Sequence, residues 1–280
     1  MDIKKLIYKF PYFVYLNLTE KCNLRCLHCL GSYGFKKENE LDLSQWKGVI
    51  DQLKDMNIFI INISGGEPTQ NTDFKEIIKY IHKKKLHFIL TTNGIFSKDV
   101  RDFIIKYKRY LMGVKISLDG YDTKTHEFIR KGLKPGIAFN TTMKTINFFK
   151  AYNVPMTIAS VLHKENIKNL QKFTSFIKKI NPISWFISPI VHTGRAEQNK
   201  KKFACYECYD INFWQGVKKQ NEKMGINIAF EGGEAETLMI DGPIFRKRIK
   251  IVKSHIEEES RNVATLMIEK AELVDKILSR

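Results

Sequence analysis

Short runs of β-branched and aromatic residues alternate along this chain with stretches whose apolar positions recur at helical spacing. The first kind predicts strands at "YFVYLNL" (12–18), "IFIINIS" (58–64), "HFILTT" (87–92), "GVKISL" (113–118), "MTIASVL" (156–162) and "SWFISPI" (184–190). The second kind predicts helices between them. Ser44 is expected to cap one that carries Trp46, Val49, Ile50 and Leu53 on one face, and Asn166 one that carries Ile167, Leu170, Phe173 and Ile177. Further helices are expected over about 73–84, 98–109 and 140–152. Such alternation builds βαβ units with parallel strands, so the chain reads as α/β: an open six-unit barrel or a doubly wound sheet. After about residue 195 the rhythm breaks into a helix near 210–224, a strand "INIAF" (226–230) and an amphipathic C-terminal helix from about 253, an expected appendage or lid. No internal repeat or low-complexity linker interrupts it.

The polar and glycine-rich pieces fall at the strands' carboxyl ends. "TEKCNLRCLHC" follows the first strand, "SGGEP" (64–68) ends the second, "TTNG" (91–94) the third and "SLDG" (117–120) the fourth, while "HTGRA" (192–196) follows the sixth. Each alone is a common turn. Parallel α/β folds gather these ends on one face, where ligands bind, and five such pieces on one face are hard to explain as turns.

Composition alters this picture in two ways. The 280 residues suffice for one main domain, with neither an apolar run long enough to span a membrane nor a secretory signal, so a cytoplasmic location is expected. Net charge is +17, from 47 Lys and Arg against 30 Asp and Glu, which favours acidic partners. The basic residues are scattered and no nucleic-acid motif accompanies them, so nucleic acid is not the expected substrate.

Three of the five cysteines lie within eight positions, as Cys22-x3-Cys26-x2-Cys29. In a reducing compartment such clusters are ligands or catalytic groups rather than disulfides. Three thiolates can hold three irons of a [4Fe–4S] cluster and leave the fourth open, with Lys21 and Arg25 placed to offset its negative charge. The competing reading is a structural zinc site with His28 as fourth ligand.

The cysteine spacing, with an aromatic residue before the last cysteine, resembles the signature of the radical S-adenosylmethionine (radical SAM) enzymes. "SGGEP", "TTNG", "SLDG" with "HEFIR" (126–130), and "GRA" match that family in order and spacing over roughly residues 12–196. The resemblance is to the branch that modifies peptides and matures cofactors. It implies a partial (β/α)6 TIM-like barrel over 1–196, with 197–280 as a C-terminal helical extension serving as lid or substrate-binding appendage. It also implies that a [4Fe–4S] cluster on Cys22, Cys26 and Cys29 reductively cleaves SAM to methionine and a 5'-deoxyadenosyl radical, which takes hydrogen from a substrate. Gly65, Gly66 and Glu67 would meet the methionine amino group. Asn93, Ser117 and Asp119 would bind the ribose hydroxyls or the carboxylate, Arg130 would pair with the carboxylate, and Val161 would enclose the adenine.

The implied substrate is a peptide or protein side chain, epimerised or cross-linked for example, with a cofactor precursor as the alternative. An external electron donor such as flavodoxin or ferredoxin is implied as well. A reading from another class is a non-catalytic, metal-stabilised binding protein. The chain departs from that branch in one respect: beyond the first trio it carries only Cys205 and Cys208, so a full cysteine-rich auxiliary domain is not expected. That pair is open to three readings: a hydrogen donor to a substrate radical, partial ligands of a second cluster, or a structural pair. The 21 residues ahead of Cys22 are expected to be too few for a separate peptide-recognition domain.

Overall fold

The structure, a computed structural model, describes residues 13–35, 40–56, 58–203, 211–230 and 266–268. In chain order the elements are β1 (Phe13–Asn17), α1 (Leu43–Asp55), β2 (Ile60–Ser64), α2 (Phe74–Lys83), β3 (His87–Thr92), α3 (Lys98–Lys106), β4 (Leu111–Ser117), α4 (Thr123–Ile129) and α5 (Ile137–Ala151). They continue as β5 (Met156–Val161), α6 (Lys164–Ile167), α7 (Leu170–Ile180), β6 (Ser184–Ser188), α8 (Arg195–Gln198), α9 (Lys200–Phe203), α10 (Ile211–Lys223), β7 (Ile228–Phe230) and β8 (Leu266–Ile268). Every strand pairing is parallel, in the order β7-β6-β5-β4-β3-β2-β1-β8, so the sheet is open, with β7 and β8 at its edges. This is the partial-barrel arrangement expected from the alternation of strand and helix signals.

Strand alternation divides the residues between two faces. Val14 and Leu16 of β1, Ile61 and Ile63 of β2, Phe88 and Leu90 of β3, Val114 and Ile116 of β4, Ile158 of β5, and Trp185 and Ile187 of β6 are buried in one continuous apolar core. Trp46, Val49, Ile50 and Leu53 of α1 and Ile77, Ile78 and Ile81 of α2 enter the same core, as their helical spacing requires. The other face is mixed: Ile60 and Ile89 pack with Phe13, Phe59 and Met112 in a small apolar cluster, and polar residues lie beside them. Register aligns Asn17 with Ser64, and Thr91 with Lys115, Thr157 and Ser184 in succession. A ligand cavity on that face follows from the same period-two pattern that builds the core.

The helix starts differ from those expected. Asp42, not Ser44, caps α1: its side chain accepts from the Gln45 N–H while the Gln45 side chain accepts from the Asp42 N–H. Asn166 does not cap α7, which starts after Asn169. It lies in the short α6, where its amide donates to the carbonyls of Asp119 and Val161 and accepts from the His163 N–H. At residues 266–268 the expected C-terminal helix gives way to β8, which pairs with β1. Beyond residue 195 the rhythm continues for one more unit, since β7 pairs in parallel with β6. Among the described residues no helix is long and apolar enough to cross a membrane.

Trp185 shows what the core contributes. It is fully buried, meets Phe173 edge-on at 5.0 Å and donates its indole N–H to Ser160 Oγ at 2.9 Å. Trp185→Ala is therefore expected to cost about 3–5 kcal/mol of unfolding free energy. Asp42→Ala, which loses only a helix cap, should cost about 1 kcal/mol. Urea titrations of the two variants check the ranking, and equal losses would contradict it.

Candidate active site

The carboxyl ends of the strands surround a cavity of about 450 Å³ on the face of the sheet away from the main core. Cys22, Cys26 and Cys29 line it from the loop after β1. Gly65 and Gly66 after β2, Asn93 after β3, Ser117 at the end of β4, Arg130 after α4 and Val161 at the end of β5 line it as well. All three cysteines are free thiols. Burial pushes the Cys26 thiol up to about 12 although Arg130 opposes it, and burial raises Cys22 as well. Thiols so placed become thiolates readily only when a cation takes the charge, as metal binding does.

The turn at Gly65–Gly66 lies against the cysteine loop too closely for side chains. A Cβ on Gly65, whose φ is +129°, would sit 2.5 Å from the Thr19 carbonyl oxygen, and one on Gly66 2.6 Å from that of Lys21. The Gly66 and Glu67 N–H groups donate to those same carbonyls at 2.7 and 3.0 Å. The neighbouring Glu67 does not face the cavity: its carboxylate is fully buried and accepts from Thr69 Oγ1 (2.7 Å), Thr92 Oγ1 (2.9 Å) and the Asn93 N–H (2.8 Å). Burial raises its pKa in spite of these donors. The Glu67 carboxylate thus joins the ends of β2 and β3.

Asp119 too is fully buried, with Oδ1 accepting from the Val161 N–H at 2.8 Å and Oδ2 from Arg130 Nε at 2.5 Å. Burial works against its charge, yet the Arg130 guanidinium holds its carboxyl below the usual carboxylate range. Asp119 therefore positions Arg130 and Val161. Arg130 in turn brings Nη1 to 4.0 Å from Cys26 Sγ. Asn93 donates to Asn23 Oδ1 at 2.8 Å and accepts from the Ile95 N–H, fastening the cysteine loop to the end of β3.

The ring of His28 faces Asp119, with Nε2 4.0 Å from Oδ2, and burial lowers its pKa to about 3, so it is neutral. Among the described residues no three His, Cys, Asp or Glu side chains converge as they would on a single ion. A [4Fe–4S] cube instead places each thiolate on its own iron, and three free cysteines lining one cavity of about 450 Å³ fit that cluster and SAM. Sequence reasoning missed Thr92, Asn23 and Arg195. Each lies inside a quoted motif, Thr92 in "TTNG", Asn23 in "TEKCNLRCLHC" and Arg195 in "HTGRA", but the motif assigned it no role. Cys205 and Cys208 lie outside the described residues.

Comparison with known proteins agrees with this arrangement. The family described as the Radical SAM superfamily matches residues 16–177, and the diphthamide synthase C-terminal domain family matches residues 188–274. The mycofactocin maturase MftC of Mycolicibacterium smegmatis is 32% identical over 160 residues, 56% of this chain and 39% of that protein. The AdoMet-dependent heme synthase of Methanosarcina barkeri is 29% identical over 191 residues, 68% of this chain and 53% of that protein. The chain thus spans about half or less of these relatives' length. Among solved structures, Streptococcus suis SuiB bound to precursor peptide SuiA superposes with a TM-score of 0.69 at 20% identity, covering 84% of this chain and 52% of that one, a likeness of fold.

Two variants separate the roles assigned above. Glu67→Gln places an amide where a buried carboxylate accepts several bonds, and should lower stability by about 1–3 kcal/mol, read as a lower urea midpoint. Ser117→Ala, at the half-buried cavity wall, should leave the midpoint unchanged and weaken SAM binding about tenfold in equilibrium dialysis. An unchanged midpoint in Glu67→Gln would remove Glu67 from the framework.

Proposed function

Because the chain belongs to the radical SAM superfamily, we propose that it is an enzyme that generates a substrate radical by hydrogen abstraction, acting on a peptide or protein side chain. The family's two cofactors are a [4Fe–4S] cluster and SAM; when bound, they supply one-electron cleavage of the sulfonium and a radical that takes hydrogen from carbon. The observation that carries the reading is the trio of free cysteines lining a cavity at the strand ends.

The chain's own residues account for binding and orientation. Cys22, Cys26 and Cys29 hold the cluster. Backbone groups at Gly65–Gly66 and the guanidinium of Arg130, fixed by Asp119, meet the amino-acid end of SAM as charge-assisted partners. Ser117 meets its sugar and Val161 its base, with Asn93 fixing the cysteine loop beside them.

A peptide substrate is supported by the likeness to SuiB, solved with its precursor peptide, and by a net charge of +17 that favours acidic segments. The likeness to a heme synthase supports the second reading, a cofactor precursor. The electron comes from an external acidic donor of the flavodoxin or ferredoxin kind. Residues 197–280 are proposed as the lid or substrate-binding appendage of a core over 1–196, with β7 and β8 of that stretch extending the sheet at its two edges. Clustered free cysteines suit a reducing cytoplasm. Cys205 and Cys208 remain proposed as a hydrogen donor or as ligands of a second cluster.

The test is anaerobic incubation of the reduced, reconstituted protein with SAM and with peptides encoded beside its gene, following 5'-deoxyadenosine and peptide mass. The wild type should release 5'-deoxyadenosine and shift the mass of one peptide. The triple variant Cys22→Ala, Cys26→Ala, Cys29→Ala should release none while keeping its far-ultraviolet circular dichroism. Retained 5'-deoxyadenosine in the triple variant would falsify the proposal; turnover of a tetrapyrrole and of no peptide would favour the second reading.

A further inference from the structure

The cysteine loop has few regular contacts of its own, yet the carbonyl of each of its cysteines accepts a hydrogen bond from an arginine. Arg25 Nη1 donates to the Cys22 carbonyl at 2.7 Å. Arg195 supplies the other two, its side-chain Nε to the Cys26 carbonyl at 2.8 Å and its backbone N–H to the Cys29 carbonyl at 3.1 Å. Asn199, one turn further on, directs its side-chain amide at the Leu27 carbonyl at 3.5 Å. Arg195 is 169 positions from Cys26 in sequence, so this contact cannot form until β6 has joined the sheet.

The approach is possible only because residue 194 is glycine. Gly194 has φ +56° and ψ −132°, a region that side chains other than glycine's avoid. A Cβ there would lie 2.6 Å from the Cys29 carbonyl oxygen and closer still to that of Leu30. The turn is thus shaped to lie flat against the loop. On the loop's other side the Arg25 N–H donates to the Lys131 carbonyl at 2.5 Å and the Leu27 N–H to that of Ile129 at 2.8 Å. Two segments far apart in sequence, one after α4 and one after β6, hold the loop between them.

Resting on the cluster-binding reading above, we infer that Gly194–Arg195 is a latch for the cluster loop, and that Arg195 is a positioning residue that fixes the Cys26 and Cys29 ligands and sets the electrostatics beside the cluster. Its guanidinium borders the cavity and Arg130 stands at the Cys26 sulfur, so two buried or half-buried cations flank one ligand. Positive charge at that distance favours the reduced, more negative cluster, and the protein tunes the metal through partners of its ligands.

The experiment uses the full chain, reconstituted anaerobically, as wild type, Arg195→Met and Arg195→Lys. Met keeps the packing of the stem and removes both donor and charge; Lys restores charge. Arg195→Met should hold iron about 10- to 100-fold more weakly against a chelator. Its remaining cluster should show a more negative midpoint potential, with Arg195→Lys returning toward the wild-type potential. Equal iron retention and equal potential in wild type and Arg195→Met would overturn the inference. Should Arg195→Met not fold, hydrogen exchange on the wild type decides. Residues 194–199 should exchange more slowly after the cluster is loaded, and unchanged exchange there would overturn the latch. A wild type that takes up no iron and sulfide instead refutes the cluster-binding reading itself.

Discussion

Two fully buried carboxylates fix the rim of the cavity, and the site depends on them. An ionised carboxylate removed from water costs several kcal/mol unless donors surround it. Glu67 takes its donors from Thr69, Thr92 and Asn93, so the end of β2 is fastened to the end of β3. Asp119 takes Val161 and Arg130, so the end of β4 is fastened to the end of β5 and to the segment after α4. Neither needs to touch a ligand to matter. Each holds at one place a residue that does line the cavity: Asn93 in the first case, Arg130 and Val161 in the second.

Much of the fold was legible in the sequence because both periodicities are strong. All six strands of the barrel occur where β-branched runs predicted them, since Ile61, Ile63, Val114, Ile116 and Ile158 have no alternative to the helix-covered face. Helix starts were less legible. Asp42 and Ser44 are both good caps, and what decides for Asp42 is the reciprocal bond with Gln45. The strand at 266–268 was not legible, because its apolar residues fit a helix as well as an edge strand and pairing to β1 settles the matter.

The site was legible as a set of motifs but not as a set of roles. Cys22, Cys26, Cys29, Gly65, Gly66, Asn93, Ser117, Arg130 and Val161 do share one cavity. Motif order cannot show that Glu67 and Asp119 turn inward, because direction depends on donors contributed by other loops. The role of Arg195 was hidden for the same reason: "HTGRA" marked its position, but its partners are backbone carbonyls, which leave no mark in a sequence. The two lessons agree, since residues that position others are chosen by geometry across long sequence separations.

The central claim is that three thiolates of this loop hold a cluster with one iron open to SAM. Electron paramagnetic resonance of the reduced, anaerobically reconstituted protein, recorded with and without SAM, tests it most directly. A [4Fe–4S] signal is expected whose shape changes when SAM is added, because the amino acid end of SAM would enter the coordination of one iron. A signal insensitive to SAM, or a protein that carries zinc and no acid-labile sulfide, would contradict it.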